Sequence, residues 1–469
     1  MLDVVSERFF TALSARLGEG VLARDEDTRA QYGTDWTRVH PPRPSAVVFP
    51  RSTEEVSEIL RLCEAHRVPV VPSGGRTGLA AGAVATRGEV VLSLERMRRI
   101  DPVDDIAGTV RVDAGAVTEA VHRHCEEAGF RWPIDLASKG SCQIGGNLAT
   151  NAGGLRVIRY GPTREWVLGL TCVLMGGRVL TLGGALEKNN TGYDLKQLLI
   201  GSEGTLGVIT EAVLKLAPPP GPASVLFFAL EGPQRALELL ATARRAGLSL
   251  MACELLTDAC LAEVEARGHG RSPFVARARA YALLEVEIGR DEAALDGWLA
   301  DVTERGVAKD GVRAASAQQA RALWALRENI TASLAVRDLV HKSDVAVPVS
   351  RVAAFVEDLE GLFAARHPEL DLFLFGHVGD GNVHINLPRP PALEREAFLA
   401  RLAAVDEDVG ALLQRHGGSV SAEHGIGLLK RSQLRFTRSA DEIALFHAIK
   451  KAFDPLNLMN PGKILEPHR

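Results

Sequence analysis

Short apolar runs and helical apolar spacing alternate near the start of the chain. AVVFP (46–50) and VPVVPSGG (68–75) are runs typical of buried strands, and TEEVSEILRLCEAHR (53–67) repeats apolar residues at the spacing of a helix. The predicted β-α-β order is common in nucleotide-binding domains. No GxGxxG sequence stands between the first strand and the helix, so the pattern does not predict a Rossmann-type NAD site.

A cluster of prolines and glycine, PPPGP (218–222), indicates a domain boundary, because such residues do not fit inside a helix or strand. Beyond it the pattern predicts strands and helices that alternate irregularly, as in an α+β sheet layer. The predicted strands are SVLFFAL (224–230), SLMACELL (249–256) and AYALLEVEI (280–288), with a helix over 233–246. A hairpin over 371–387 is expected to complete this sheet, and the chain after PRPPA (388–392) is predicted to be mostly helical.

The predicted hairpin, DLFLFGHVGDGNVHINL, carries two histidines on either side of a Gly-Asp-Gly-Asn turn. If His377 and His384 are opposite each other, their Cβ atoms are about 5 Å apart, which suits two ligands of one divalent cation. Asn386 lies two residues after His384 and points to the same face. The alternative is that both histidines are ordinary hydrogen-bonded side chains without a metal.

A third ligand is available in VSAEHGIG (420–427), where Glu423 and His424 precede a glycine. Two imidazoles and a carboxylate with an open position are a common set for catalytic zinc, and manganese or cobalt also suits such a site. We expect Glu423 to bind the metal and His424 to face the open position as a base. A solvated Glu-His pair in a loop is the alternative.

Three glycine-rich segments lie before the boundary, at 72–83, 135–154 and 200–216. The first, PSGGRTGLAAGA, offers consecutive backbone N–H groups that can hold a pyrophosphate, and Arg76 adds a positive charge. One such segment alone is usually a tight turn. Three in one domain favour a long, flat ligand with several parts, and a flavin dinucleotide fits that description.

Composition narrows the function classes. A chain of 469 residues with 46% hydrophobic residues and a net charge of −5 is typical of a soluble globular protein with two or three domains. Nucleic acid is not an expected partner, because clustered basic faces are missing, and no apolar run reaches the ~20 residues that span a bilayer. The first 20 residues read as an amphipathic helix rather than a signal peptide, so a cytoplasmic location is expected. The six cysteines form no CxxC pair and are expected to be buried thiols.

Taken together, PSGGRTGLAAGA, GGNLATNAGG, LIGSEGTLGVITEAVLKL and DPLNLMNPGKIL resemble the FAD domain of the vanillyl-alcohol oxidase/p-cresol methylhydroxylase superfamily. Four later motifs resemble its branch of D-2-hydroxyglutarate and D-lactate dehydrogenases. These motifs are LWALRENITASL (323–334), VHKSDVAVPV (340–349), GHVGDGNVHINL (376–387) and GGSVSAEHGIGLLKR (417–431).

This resemblance implies a fold and its boundaries. We expect a two-subdomain FAD-binding domain of the p-cresol methylhydroxylase type over 1–217 and an α+β substrate domain with an antiparallel sheet over 218–390. A mostly helical segment over 391–469 is expected to complete the active site.

The resemblance also implies site residues. It assigns His377, His384 and Glu423 to zinc, His424 to the base, and Arg327, Thr331, Lys342 and Asn386, together with His424, to the substrate. Arg327 and Thr331 are four residues apart and so share a helix face, and an arginine binds a carboxylate through two parallel hydrogen bonds. The residues assigned to FAD are Pro72, Ser73, Gly74, Gly75, Arg76, Thr77, Gly78, Leu79, Asp135, Ser138, Gly140, Ser141, Gly145, Gly146, Asn147, Asn151, Gly153, Gly154, Glu203, Gly207, Ile209 and Asn460. FAD is expected to be non-covalent, because the only His or Cys at an obvious attachment position in the glycine segments is Cys142.

The expected reaction is metal-assisted oxidation of an (R)-2-hydroxy acid to the 2-oxo acid, with hydride transfer to flavin N5. D-2-hydroxyglutarate is the expected substrate, and a D-lactate, D-malate or glycolate dehydrogenase or oxidase on the same scaffold is the alternative. A zinc hydrolase and a non-catalytic flavin-binding protein are two further hypotheses. The electron acceptor is left open between electron-transfer flavoprotein, a quinone and a soluble carrier, and a homodimer is compatible with the sequence.

Overall fold

A computed structural model describes residues 5–289 and 292–466, so the predicted N-terminal helix and C-terminal segment are described without residues 1–4 and 467–469. The described residues form a mixed α+β fold, as predicted, and this fold contains three sheets. Two four-stranded sheets precede the PPPGP boundary, and one seven-stranded sheet follows it. No helix of the described part is long and apolar enough to cross a membrane.

The first sheet has the order β1-β2-β4-β3, and the pairs of β4 with β2 and β3 are parallel. Its strands are β1 (Leu22–Ala23), β2 (Ala46–Val48), β3 (Val70–Ser73) and β4 (Val90–Ser93). The second sheet is antiparallel, with the order β5-β8-β6-β7. Its strands are β5 (Thr109–Asp113), β6 (Val167–Val173), β7 (Val179–Gly183) and β8 (Val208–Lys215).

The third sheet is antiparallel, with the order β12-β9-β11-β10-β14-β15-β13. Its strands are β9 (Ala223–Leu230), β10 (Ser249–Thr257), β11 (Ala280–Glu287), β12 (Asp310–Arg313), β13 (Val340–Ala346), β14 (Phe373–Gly376) and β15 (Asn382–Pro388). The predicted strands at 46–50, 68–75, 224–230, 249–256 and 280–288 are confirmed as β2, β3, β9, β10 and β11.

Fourteen α-helices lie in the described residues. Before the boundary they are α1 (Glu7–Leu17), α2 (Glu26–Tyr32), α3 (Thr53–Ala65), α4 (Thr118–Glu127), α5 (Ile144–Thr150), α6 (Val157–Tyr160) and α7 (Lys196–Leu199). After it they are α8 (Pro233–Arg245), α9 (Asp258–Ala266), α10 (Glu292–Glu304), α11 (Ala317–Ala335), α12 (Val352–Arg366), α13 (Arg395–His416) and α14 (Ala440–Phe453). Short 3₁₀ helices cover Glu19–Val21, Thr163–Trp166, Val349–Arg351 and Arg431–Phe436.

The continuous apolar run of β9 reflects helices on both faces of the seven-stranded sheet. Leu226 and Phe228 pack into one core cluster with side chains of α8, α10, α12 and α13. Val225 and Phe227 point to the opposite face and pack with α9 and α11. A strand covered on both sides has no solvent-facing positions, and its sequence therefore does not alternate between apolar and polar residues.

The last residues of the chain return to the first sheet. Val70 N–H donates to Leu458 C=O at 2.8 Å, and Asn460 N–H donates back to Val70 C=O at 2.7 Å. Phe398 of α13, by contrast, is buried in the core of the seven-stranded sheet. The predicted segment 391–469 is thus divided between the two regions of the fold, and the proposed domain boundaries stay a prediction.

Candidate active site

A cavity of about 630 Å³ opens where the glycine segments face the seven-stranded sheet. Its wall includes Thr331, Lys342, Glu423 and His424 on the sheet side. Seventeen of the residues assigned to FAD also line it: Pro72, Ser73, Gly74, Gly75, Arg76, Thr77, Gly78, Leu79, Ser138, Ser141, Gly145, Gly146, Asn147, Gly153, Glu203, Gly207 and Ile209. Asp135, Gly140, Asn151, Gly154 and Asn460 lie outside its lining.

Close backbone contact shapes the glycine side of the cavity. A Cβ atom on Gly75 would lie 2.1 Å from Ser141 O and 2.8 Å from Cys142 Cα, so the first two glycine segments touch through their backbones. Arg76 has a left-handed backbone (φ 57°), and its guanidinium lies 4.2 Å from the Tyr32 ring centroid. Arg76 Nη1 also donates to Gly74 O at 3.2 Å, which closes the loop on itself.

The chemistry of the cavity wall fits a large cofactor with many polar atoms. Ser73 Oγ and Gln143 Oε1 are buried beside the cavity and have no hydrogen-bond partner among the described residues. Buried polar atoms normally have a hydrogen-bond partner, so these two atoms fit a cofactor with polar groups. Sequence reasoning missed Gln143 and Trp36. Gln143 lies within the second glycine-rich segment, 135–154, which is a signal that could have identified it. Trp36 lies in none of the glycine-rich segments, and no sequence motif around it predicts a place in the cavity.

Cys142 is buried and also lines the cavity. Its Sγ lies 3.2 Å from Thr118 Oγ1. Non-covalent binding of FAD stays a prediction.

The histidine hairpin forms, but its register differs from the prediction. His384 is opposite Phe375 of β14 and Asp344 of β13, and His377 lies just beyond the end of β14. The turn is longer than expected because His377 C=O accepts from the N–H groups of Asp380, Gly381 and Asn382. The two imidazole centroids are nevertheless 5.2 Å apart.

Two buried carboxylates that the sequence did not reveal each contact the Nδ1 side of one imidazole. Glu254 Oε1 lies 2.7 Å from His377 Nδ1, and Asp344 Oδ1 lies 3.4 Å from His384 Nδ1. A carboxylate beside Nδ1 requires a proton there in the neutral ring and leaves the Nε2 lone pair for another partner. Glu254 stands in the apolar strand β10, and its only sequence signal was a charge inside that run.

Burial and charge pull the pKa values of these groups in opposite directions. Burial alone would lower the pKa of His377, but Glu254 raises it to about 9. Burial lowers the pKa of His424 despite the nearby Asp344 carboxylate. Burial would raise the pKa of Asp344, yet His424, His384 and Lys430 hold it well below its usual value. A neutral His424 at neutral pH suits a proton acceptor.

Glu423 and His424 lie in a loop without regular structure that touches both regions. Their backbone N–H groups donate to Asp344 Oδ2 at 2.8 and 3.1 Å. Glu423 Oε1 accepts from Gly154 N–H at 2.9 Å. The ring of His424 lies 6.5 Å from that of His384. Within the two described ranges, no group of three or more His, Cys, Asp or Glu side chains is arranged to hold a metal ion.

Apart from His424, the residues assigned to the substrate lie on α11 and on one face of β13 and β15. Arg327 is buried, its Nε donates to Glu254 Oε2 at 2.7 Å, and its guanidinium lies 4.5 Å from the Phe375 centroid. Thr331 follows one helical turn later and reaches the cavity. Lys342 and Asn386 are direct cross-strand partners, and burial lowers the pKa of Lys342.

Comparisons with known proteins agree that the chain belongs to a family of FAD-linked oxidases. Residues 44–183 match the family model of an FAD binding domain, and residues 220–464 match that of FAD linked oxidases, C-terminal domain. D-2-hydroxyglutarate dehydrogenase of Xanthomonas citri pv. viticola is 47% identical, covering 93% of this chain and 92% of that protein. Its counterpart in Stutzerimonas stutzeri is 42% identical (95% and 96%), and the mitochondrial enzyme of Bos taurus is 38% identical (99% and 85%).

Solved structures support the fold. p-Cresol methylhydroxylase with substrate bound has a TM-score of 0.76 at 16% identity, covering 98% of each chain. 4-Ethylphenol oxidase from Gulosibacter chungangensis, in an isoeugenol complex, also has a TM-score of 0.76, at 19% identity, covering 100% of this chain and 99% of the other. The fold is thus of the p-cresol methylhydroxylase type, and the match to the FAD binding domain model identifies a flavoprotein. The chain belongs to the FAD-linked oxidase family and is an FAD-dependent dehydrogenase.

Proposed function

We propose that the protein oxidises D-2-hydroxyglutarate to 2-oxoglutarate. The observation that carries the proposal is the shared cavity, because glycine segments suited to FAD and the polar residues Thr331, Lys342, Glu423 and His424 line the same space. The names of the relatives support this substrate. Membership of the FAD-linked oxidase family argues against the two alternatives, a zinc hydrolase and a non-catalytic flavin-binding protein.

Each residue of the substrate side has a proposed task. Arg327, Thr331, Lys342 and Asn386 bind the carboxylates and hold C2 towards the cofactor, which lowers the entropic cost of reaching the reactive geometry. His424 accepts the proton of the C2 hydroxyl, a task that suits an imidazole whose pKa burial lowers. FAD, when bound, supplies the acceptor for the hydride from C2.

We also propose a zinc ion held by His377, His384 and Glu423. The support is the donor set: Glu254 and Asp344 contact the Nδ1 atoms of the two imidazoles, so their Nε2 atoms are left for another partner. A metal ion at His377 Nε2 would displace the second proton that Glu254 favours by raising the pKa of this ring. When bound, zinc would supply Lewis acidity that favours loss of the hydroxyl proton, and Mn²⁺ or Co²⁺ would also suit this donor set.

An anaerobic visible spectrum tests these proposals. D-2-hydroxyglutarate should bleach the flavin band of the purified protein. Prior treatment with a chelator should prevent bleaching, and added Zn²⁺ should restore it. A flavin band that D-2-hydroxyglutarate leaves unchanged contradicts the substrate, and bleaching that survives complete removal of metal contradicts the zinc site.

The main alternative is another (R)-2-hydroxy acid on the same site. Turnover with D-2-hydroxyglutarate, D-malate, D-lactate and glycolate separates these substrates, and a clear preference for D-lactate would reject the dicarboxylate. Three further proposals rest on the sequence. They are electron-transfer flavoprotein or a quinone as the electron acceptor, a homodimer, and a cytoplasmic location.

A further inference from the structure

The loop over residues 421–427, called here the base loop, carries both Glu423 and His424. It has no helix or strand of its own to fix its shape. Backbone groups outside regular structure depend on side chains, water or other segments for their hydrogen bonds. The position of the proposed base therefore depends on the groups that bind the backbone of this loop.

Two carboxylates from opposite regions bind the base loop at its two ends. Asp344 of β13 is fully buried and accepts from the N–H groups of Glu423 and His424. Glu203, from the third glycine segment, accepts from Ile426 N–H through Oε1 and from Gly427 N–H through Oε2, both at 2.7 Å. Four N–H groups of the loop are thus bound by two side chains.

Close contacts with Glu203 and with Ala80 require glycine at two positions of the base loop. A Cβ atom on Gly425 would lie 2.8 Å from Glu203 Cδ, and one on Gly427 would lie 1.9 Å from Ala80 O. Both glycines have left-handed backbones, with φ values of 78° and 48°. Glycine adopts such φ values without steric cost, so GIG permits the loop to lie directly on the Glu203 carboxylate.

Glu203 is itself fixed within the wall of the cofactor cavity. Its N–H donates to Ala149 O at 2.7 Å, and its C=O accepts from Asn460 Nδ2 at 2.7 Å. Its backbone is left-handed (φ 51°), and the residue lines the cavity. The side chain therefore connects the cavity wall with the base loop.

We propose that Glu203 is a positioning residue for His424, because its carboxylate fixes the second half of the base loop on the wall of the cofactor cavity. The inference rests on the proposed function only in taking His424 as the base. Asp344 holds the start of the loop from the substrate side. Glu203 thereby sets the position of the base relative to the cofactor cavity rather than binding the cofactor through its carboxylate.

Glu203→Gln is the first test, since it preserves the shape but replaces one acceptor oxygen by an N–H₂ donor. Displacement of a reacting group by about 1 Å can cost roughly 100-fold in rate. We expect kcat per bound FAD to fall about 10- to 100-fold with KM for D-2-hydroxyglutarate within about twofold of wild type. Hydrogen exchange of the Ile426 and Gly427 amides should become at least about tenfold faster.

Glu287→Gln is the matched control. Glu287 also accepts from a backbone N–H, that of Gly221 at 2.7 Å, and pairs with Arg159 across the two regions at 3.3 Å, without contacting the base loop. This variant should leave kcat per bound FAD and exchange in the base loop unchanged. Glu203→Asp retains the charge on a shorter side chain and should fall between wild type and Glu203→Gln.

Two results would overturn the inference. One is a Glu203→Gln protein that exchanges its Ile426 and Gly427 amides at the wild-type rate. The other is a fall in FAD content with unchanged kcat per bound FAD, which indicates a structural role only.

Exchange in the wild-type protein tests the contact on which the inference depends, even if the variant does not fold. Ile426 and Gly427 amides that exchange at the rate of an unfolded chain would reject the contact. These measurements need no substrate. A wild-type protein that oxidises no 2-hydroxy acid would therefore count against the proposed function and leave the exchange result to judge Glu203.

Discussion

The two walls of the cavity are built in opposite ways. The glycine side is made of backbone segments in close contact, such as Gly75 against Ser141, with left-handed residues where the chain turns. The sheet side exposes Thr331, Lys342, Glu423 and His424 to the cavity. Outside that lining, buried charged side chains pair with one another, as Glu254 does with Arg327 and His377. The glycine side should therefore be sensitive to added volume. The sheet side should be sensitive to exchange of a charged group for a neutral one of the same shape.

The largest effect on the sheet side is expected at His424. Replacing it by Asn removes the proposed base while preserving a small polar side chain, and loss of a general base typically lowers the rate by about 10²–10⁴-fold. FAD content should stay at the wild-type level. His124→Asn is the control. The Nε2 atom of His124 contacts Asp101 O, His124 lies outside the lining of the cavity, and this variant should retain turnover. Near-normal turnover of FAD-loaded His424→Asn would reject His424 as the base.

The largest effect on the glycine side is expected from one added methyl group. Gly75→Ala places Cβ within 2.1 Å of Ser141 O, so the two loops must separate. We expect a loss of about 1–3 kcal/mol in the free energy of unfolding and at least tenfold weaker FAD binding. Gly361→Ala in α12 meets no atom within 4 Å, and alanine favours a helix by about 1 kcal/mol. Thermal unfolding and FAD titration should separate the two variants, and equal FAD affinities would contradict the backbone contact.

A smaller effect is expected from a change that keeps the charge. Arg327→Lys retains a cation beside Glu254 but loses the planar group that can hold a carboxylate with two hydrogen bonds. We expect KM for D-2-hydroxyglutarate to rise about tenfold, with a smaller fall in kcat. Arg337, which pairs with Glu263 and lies over Phe373, offers a matched control in Arg337→Lys. If Arg327→Lys and Arg337→Lys change KM equally, Arg327 does not bind the substrate carboxylate.

The smallest effect concerns the six cysteines, of which Cys142 lines the cavity. All six are buried, and burial raises the pKa of Cys125, Cys172 and Cys260 to about 12. Thiol reagents should therefore modify the native protein slowly and the unfolded protein fully.

Acid precipitation should release all FAD into the supernatant. Flavin that stays with the precipitate would indicate a covalent bond, for which Cys142 is the residue to replace first.

Patterns local in sequence predicted much of the fold. SVLFFAL became β9, and TEEVSEILRLCEAHR became α3, because a buried face imposes a period that a short window reveals. The hairpin was predicted, but its register was wrong. A turn held by three N–H groups on one carbonyl shifted His377 away from the position opposite His384, and the turn sequence alone does not specify that bonding.

Partners distant in sequence remained hidden. Glu254 in an apolar strand gave no sign that it would meet Arg327, 73 residues away, or His377, 123 residues away. Glu203 was predicted only as a cofactor residue, although its carboxylate binds backbone 223 residues later. Such pairings depend on which strands and loops become neighbours, and the chain specifies this through the sum of its packing rather than through a local motif.

The sequence by itself determined the elements, the glycine segments and the residue types of both cavity walls, because these depend on local φ preferences, side-chain volume and apolar period. Only the tertiary structure decided how the groups are arranged: the return of Asn460 to β3, the carboxylates behind the two histidines and the fixing of the base loop between Asp344 and Glu203. The physical reason is that a buried charge must be paired wherever the fold places it. Its partner is therefore chosen by proximity in space and not by position in the chain.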